Sequence, residues 1–328
     1  MNGEARVAIP PIVDARALAG HDPAARLAAL DGETMGTGWR VRLAAGPAVD
    51  LPALEAEIRS RLDGLVAQMS HWAPDSLLSA FGRLAAGQWM KLPADFAAVM
   101  RAGLAIADRT GGAFDPAIGR LTDAYGLGPR KAAGEPAEAI IDDALAHAGW
   151  RRLAFDAGAG RLRQPGGLWL DLSGIAKGYA VDAVADLLVA RGIGHCLVEI
   201  GGELAGRGIR PDGNPWWVDL ETPPGLRVRP LRVALHQLAV ATSGNYVRGD
   251  HSLDPRNGRR VRNGVASVSV IHARAMDADA WATALTVLGP ADGAALAVEE
   301  GLAARILTQD GVLTREWLSP TLEAMLAD

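Results

Sequence analysis

Two hydrophobic periods run along this chain without settling into a repeating strand–helix–strand rhythm. Leu51, Leu54, Ile58, Leu62, Leu65 and Met69 recur at spacings of three and four, which predicts an amphipathic helix begun by Asp50 and Pro52. TGWRVRL (37–43) alternates as a strand does. A second helix is expected over 93–109, closed by Thr110-Gly111-Gly112, after which glycine and proline crowd 111–136 into loop. A short strand over 167–172 should run into a helix from about Ile175 to Ala190. Strand-like runs follow at 195–200, 215–221, 231–242 and 265–271, then helices over 277–288 and 290–301. The end, ARILTQDGVLTREWL, reads as a hairpin turning at Asp310-Gly311. Elements mixed in this way predict an α+β fold rather than a doubly wound one. Residues 1–31, Ala/Pro-rich and aperiodic, read as an extended, partly mobile N-terminal arm ahead of one domain over 32–328.

Composition narrows the function classes. The chain has 328 residues, enough for a sizeable core, and a net charge of −5 that gives no electrostatic case for nucleic acid. The lone Cys196 excludes an intramolecular disulfide framework and any cysteine-built metal site, and an apolar strand around it makes it a small core residue. No run reads as the ~20 apolar residues of a membrane helix, so no membrane insertion is expected. The first residues carry no signal-peptide pattern and no early cysteine for lipidation. As written, the chain is therefore expected in the cytoplasm, or exported if the true start lies upstream. Only Lys91, Lys131 and Lys177 among the 33 cations are lysines, so a retained lysine hints at a need for a compact ammonium.

The common fingerprints are missing: GxxxxGK(S/T), GxGxxG between strand and helix, HExxH and GxSxG do not occur. Four glycine-studded polar segments remain. Gly111-Gly112-Ala113-Phe114-Asp115-Pro116 reads either as a site or as a helix cap and turn. Asp171-Leu172-Ser173-Gly174-Ile175-Ala176-Lys177 ends a strand at a helix N-terminus, an anion site in principle. Lys177 in that first turn is electrostatically wrong for the helix alone. Asp279 and Thr283 sit four apart on one helix face and offer the oxygen ligands that Mg²⁺ accepts, although Asp277 or Asp279 could equally be an N-cap. The fourth segment, Thr242 to Gly258, gathers hydroxyls, His251 and Asp254 in one loop.

The order and spacing of MGT (35–37), MSHWAPDSLLSAFGR (69–83), TGGAFDP (110–116), DLSGIAKGYAVD (171–182), VEIGGEL (198–204), ATSGNYVR (241–248), HSLDPRNG (251–258) and DADAWATAL (277–285) resemble the ApbE family of FAD:protein FMN transferases. The resemblance runs from about 33 to 318. It implies an α+β fold of mixed and antiparallel sheets with packed helices, related to the tunnelling folds. It also implies Mg²⁺-dependent cleavage of FAD, release of AMP, and attachment of FMN through a phosphoester to a threonine or serine of a target flavoprotein.

The same resemblance implies roles for individual residues. Met35, Trp72, Ala113, Phe114, Asp115, Asp171, Lys177 and Leu253 would contact FAD, with Trp72 standing where many members have tyrosine and Leu253 acting through its backbone. The Gly174 carbonyl, Asp279 and Thr283 would hold magnesium. Met276 replaces an acidic residue found in some members. Mg²⁺ and Lys177 would offset the pyrophosphate charge. His251 is the candidate for proton transfer, with Asp254 and Asp279 as rivals. Two other readings use the same residues: a Mg²⁺-dependent FAD pyrophosphatase giving FMN and AMP, and a non-enzymatic FAD-binding protein.

Overall fold

The computed structural model describes residues 4–131, 134–246, 249, 251–311 and 313–327. Val247 and Arg248, the end of the ATSGNYVR block, lie outside them. The chain divides into two units, one of Met1–Leu62, Lys177–Val247 and Asn263–Asp328, the other of Asp63–Ala176 and Arg248–Arg262.

The first unit is built on an eight-stranded sheet. Its order is Leu313–Leu318, Ala303–Asp310, Val265–His272, Leu238–Gly244, Glu203–Arg207, Cys196–Ile200, Thr37–Ala45 and Arg26–Thr34. Every neighbouring pair is antiparallel. The alternation read in 37–43 has its cause here, since Trp39, Val41, Leu43 and Ala45 face the core while Arg40 and Arg42 face away. Helix Ala275–Glu299 packs on the strands Leu238–Gly244 and Val265–His272. By length and composition this helix could cross a membrane, contrary to the sequence reading of its segment, but much of it is buried on the sheet. It merges the two helices expected over 277–301, which meet at a kink where Gly289 has φ 87°. Pro290 has no N–H to give the carbonyl four residues back, and Asn263 Nδ2 donates to that carbonyl of Thr286 at 2.9 Å instead.

The run 231–242, expected as one strand, is two. Leu231–Leu235 pairs with Trp216–Asp219 and, in parallel, with Arg6–Ala8, forming a separate three-stranded sheet. Gln237 takes φ 56°, and Leu238–Gly244 then joins the large sheet. Leu231, Val233 and Leu235 share a core cluster with Leu197, Val240 and Ile271 of the large sheet. Apolar patterning runs straight through the break because both halves are buried in the same core. Residues 6–8 and 26–31, read as part of an extended arm, lie in strands.

The second unit carries the helices Ala94–Arg109, Gly119–Ala124 and Glu138–Ala146 and a small antiparallel sheet of Trp89–Lys91, Arg161–Arg163 and Ala154–Asp156. The stretch 111–136, expected as plain loop, contains the helix Gly119–Ala124. No strand forms over 167–172. The buried Gln164 side chain takes the place of a ladder: its Oε1 accepts from Gly166 and Leu168 N–H, and its Nε2 donates to the Phe81 and Leu168 carbonyls. The neighbouring backbone bonds to the 116–119 loop, with Asp171 N–H on Pro116 and Gly119 N–H on Trp169. A Cβ on Gly119 would lie 2.6 Å from the Leu170 carbonyl oxygen, so only glycine allows this approach.

Candidate active site

In the first unit, the site residues gather where two helices touch backbone to backbone. A Cβ on Gly178, in helix Ala176–Ala190, would lie 2.2 Å from the Ala275 carbonyl oxygen. That approach lets Asp279 Oδ2 accept the Gly178 N–H at 3.0 Å. One residue earlier, the Lys177 ammonium donates to Glu203 Oε1. Glu203 follows the turn glycines Gly201 and Gly202, whose φ values of 64° and 103° close a two-residue hairpin. Burial raises the pKa of Glu203 and Asp279, and the nearby Lys177 opposes the rise in both. The ammonium is thus bonded to Glu203, with Asp279 within its electrostatic reach. Thr283 lies one turn beyond Asp279, half-buried on the same helix.

The start of the second helix is held from outside. Its first N–H groups, on Ala275 and Met276, donate to the two carboxylate oxygens of the buried Asp182, each at 3.0 Å. Neither Asp277 nor Asp279 is the N-cap; Arg274 occupies that position without a side-chain cap bond. Arg274 and Arg207 lie 3.1 and 3.8 Å from the Asp182 carboxylate. Asp182→Ala should cost about 2–4 kcal/mol of stability by stripping the cap and removing the buried carboxylate beside Arg207 and Arg274, the latter keeping Asp186 at 3.2 Å, which urea unfolding would measure. Met35 lies elsewhere in this unit, in the two-residue turn from Arg26–Thr34 to Thr37–Ala45, with φ 50°. A methionine held in that region costs of order 1 kcal/mol, the kind of strain that collects at functional sites.

In the second unit, Asp171 is buried and heavily bonded. Thr122 Oγ1 donates to it at 2.6 Å, Ser173 donates through N–H and Oγ, and His71 Nδ1 lies 3.7 Å away. Burial would raise its pKa, but His71 and the hydrogen bonds outweigh burial and hold the carboxyl below its usual range. Gly174 sits in the turn that follows. Trp72 is 60% exposed, with its ring 5.2 Å from that of His71, an open indole face suited to stacking.

Ala113, Phe114 and Asp115 are all buried. The Asp115 carboxylate accepts the N–H groups of Ala117 at 2.8 Å and Trp150 at 3.0 Å. Burial nevertheless pushes its pKa up to about 6. The native state then binds this proton more tightly than the unfolded chain, so the stability it lends is present at low pH and is lost as pH rises through about 6. Asp115→Asn should remove a fall of about 3 kcal/mol between about pH 4 and pH 7, read as the difference in urea midpoints.

The Leu253 side chain packs with Leu121, Tyr125, Ile141 and Ala144, which leaves its backbone for any ligand contact. Asp254 is engaged by Arg256 Nε and Nη2, each at 2.8 Å, and by Asn257, so both of its carboxylate oxygens already have partners. His251 Nδ1 meets the Gly249 carbonyl at 2.9 Å; an acceptor there makes Nδ1 the donor and Nε2 the basic nitrogen. Cys196 is buried with its thiol pushed up to about 12, unsuited to nucleophilic work.

Glu203, Asp182, Thr122 and His71 carry no local sequence mark of the partners they meet here. Glu203, Asp182 and His71 all lie in the family-like segments, but a carboxylate after two glycines reads as a turn residue. Asp182 reads as a solvated helix acid until its burial is known.

A family model described as the ApbE family matches residues 35–306. The chain belongs to the ApbE family. It is 32% identical to the FAD:protein FMN transferase of Klebsiella pneumoniae over 93% of this chain and 91% of that one. The Salmonella typhimurium protein of the same name is also 32% identical, over 93% and 90%. Among solved structures, the flavin transferase ApbE from Vibrio cholerae superposes with a TM-score of 0.87 at 32% identity, covering 92% of this chain and all of that one. The flavinyl transferase ApbE of Pseudomonas stutzeri gives 0.86 at 34%, covering 93% and 98%. These ApbE relatives make the chain an enzyme of the transferase class with an α+β fold.

Proposed function

We propose that this chain transfers FMN from FAD to a threonine or serine hydroxyl of a target flavoprotein, in a Mg²⁺-dependent reaction that releases AMP. The observation that carries the reading is the buried meeting of Lys177, Glu203 and Asp279 at the Gly178 contact, in a chain aligned with named FAD:protein FMN transferases over nearly its whole length.

In the reaction, the acceptor oxygen bonds to the FMN phosphorus and the bond from that phosphorus to the AMP oxygen breaks. The hydroxyl proton leaves to a base, for which His251 Nε2 is the candidate. Lys177 offsets charge on the pyrophosphate oxygens. Asp171, Trp72, Met35, the 113–115 stretch and the Leu253 backbone are proposed to hold FAD.

The donor set fits magnesium, because Asp279, Thr283 and the Gly174 carbonyl supply only hard oxygens. Among the described residues no group of three or more His, Cys, Asp or Glu could hold a metal, so carbonyl, water or phosphate oxygens must complete the shell. When bound, Mg²⁺ would polarise the phosphoryl oxygens.

The test is to incubate the protein with FAD and Mg²⁺, with and without a threonine-bearing acceptor domain, and follow AMP and acceptor mass. The expected result is an FMN-sized, Mg²⁺-dependent mass gain on the acceptor. AMP and free FMN without any gain would favour the pyrophosphatase, and FAD bound but uncleaved would favour a binding protein.

A further inference from the structure

Three charged groups share the buried end of the first unit, and only two have roles in the proposed reaction. Glu203 is 4% exposed; one carboxylate oxygen takes the Lys177 ammonium, while Oε2 is buried with no hydrogen-bond partner. A carboxylate held so dry is costly unless a specific counter-charge requires it. Across the hairpin it faces the apolar Ile200, and Asp279 repels it. Lys177 supplies the reason for its presence. The ammonium stands in the first turn of a helix, where the dipole opposes it. Asp279 is a second carboxylate within the electrostatic reach of Lys177.

We propose that Glu203 is a positioning residue that retains Lys177 so that Asp279 stays available to a cation. The inference rests on the proposed function above, in which Asp279 meets the metal and Lys177 the pyrophosphate. With Glu203 present, each positive group has its own carboxylate. Without it, ammonium and metal compete for Asp279.

The experiment titrates Mn²⁺, read by loss of the free-ion EPR signal, into FAD-loaded wild type, Glu203→Gln, Lys177→Met and the double variant, with thermal melts to check folding. Glu203→Gln should weaken Mn²⁺ binding by about 10- to 100-fold, the range for groups that orient metal ligands. In the Lys177→Met background the same change should cost less than about threefold, because the competitor is gone. The double variant removes ammonium and carboxylate charge together, so it keeps the comparison readable if the single variant is unstable. Equal losses in both backgrounds would mean that Glu203 acts only through its field, and would overturn the inference alone. A wild type that takes up neither FAD nor Mn²⁺ would overturn the functional reading and this inference with it.

Discussion

An Asp279→Ala protein is expected to lose Mg²⁺-dependent turnover by about 10²-fold or more, the scale of removing a group that stabilises charge at the transition state. The loss must be separated from a folding defect, because Asp279 Oδ2 also accepts the Gly178 N–H. Alanine leaves that buried donor unpaired, at a cost of about 1–3 kcal/mol. Asp279→Asn separates the two effects. Its amide oxygen still accepts from Gly178 and its volume is unchanged, so the melt should stay close to wild type. Its neutral side chain, however, is a much poorer partner for a divalent cation. Loss of turnover in both variants, with a normal melt for asparagine, is the expected pattern. Near-normal turnover in Asp279→Asn would remove Asp279 from the metal site.

Gly178→Ala should destabilise the protein by about 3 kcal/mol or more, an overpacking effect at the upper end of its usual range. The new methyl would stand 2.2 Å from the Ala275 oxygen and 2.6 Å from its carbon, both backbone atoms that no rotamer change can move aside. The helices must separate, and Asp279 then loses its amide donor. Activity should therefore fall with stability, although Gly178 has no side chain to offer a substrate. Gly194→Ala is the control, since nothing lies within 4 Å of its added Cβ. It should stay within about 0.5 kcal/mol of wild type in urea unfolding.

Legibility from sequence followed the range of the forces involved. Helices Leu51–Met69 and Ala94–Arg109 and the hairpin at Gly311 were readable because periodicity and turn chemistry act over a few residues. The Gly289-Pro290 kink announced itself for the same reason. The break at Gln237 did not, because a buried apolar run carries no mark of which sheet will receive it. The failed strand at 167–172 depended on one glutamine, Gln164, whose burial no local pattern reveals.

In the site, Asp279 and Thr283 stood out through helical spacing and Lys177 through its misplaced charge. Their placement as candidate FAD and magnesium residues came from the family resemblance. Glu203 and Asp182 escaped because their meaning lies in partners far along the chain, at Lys177 and at Ala275.

The strand Arg6–Ala8 has a consequence for synthesis order. It pairs with Leu231–Leu235, and Ala8 also bridges to Leu326. One edge of the first unit thus joins stretches far apart in the sequence. Closing loops of that length is slow and entropically opposed. The ribosome must therefore release the chain through Leu231–Leu235 before this strand can pair, whereas Asp63–Ala176 emerges as one continuous stretch. A nascent chain stalled before Leu231 should leave the large sheet protease-sensitive, with Asp63–Ala176 the earlier stretch to gain protection.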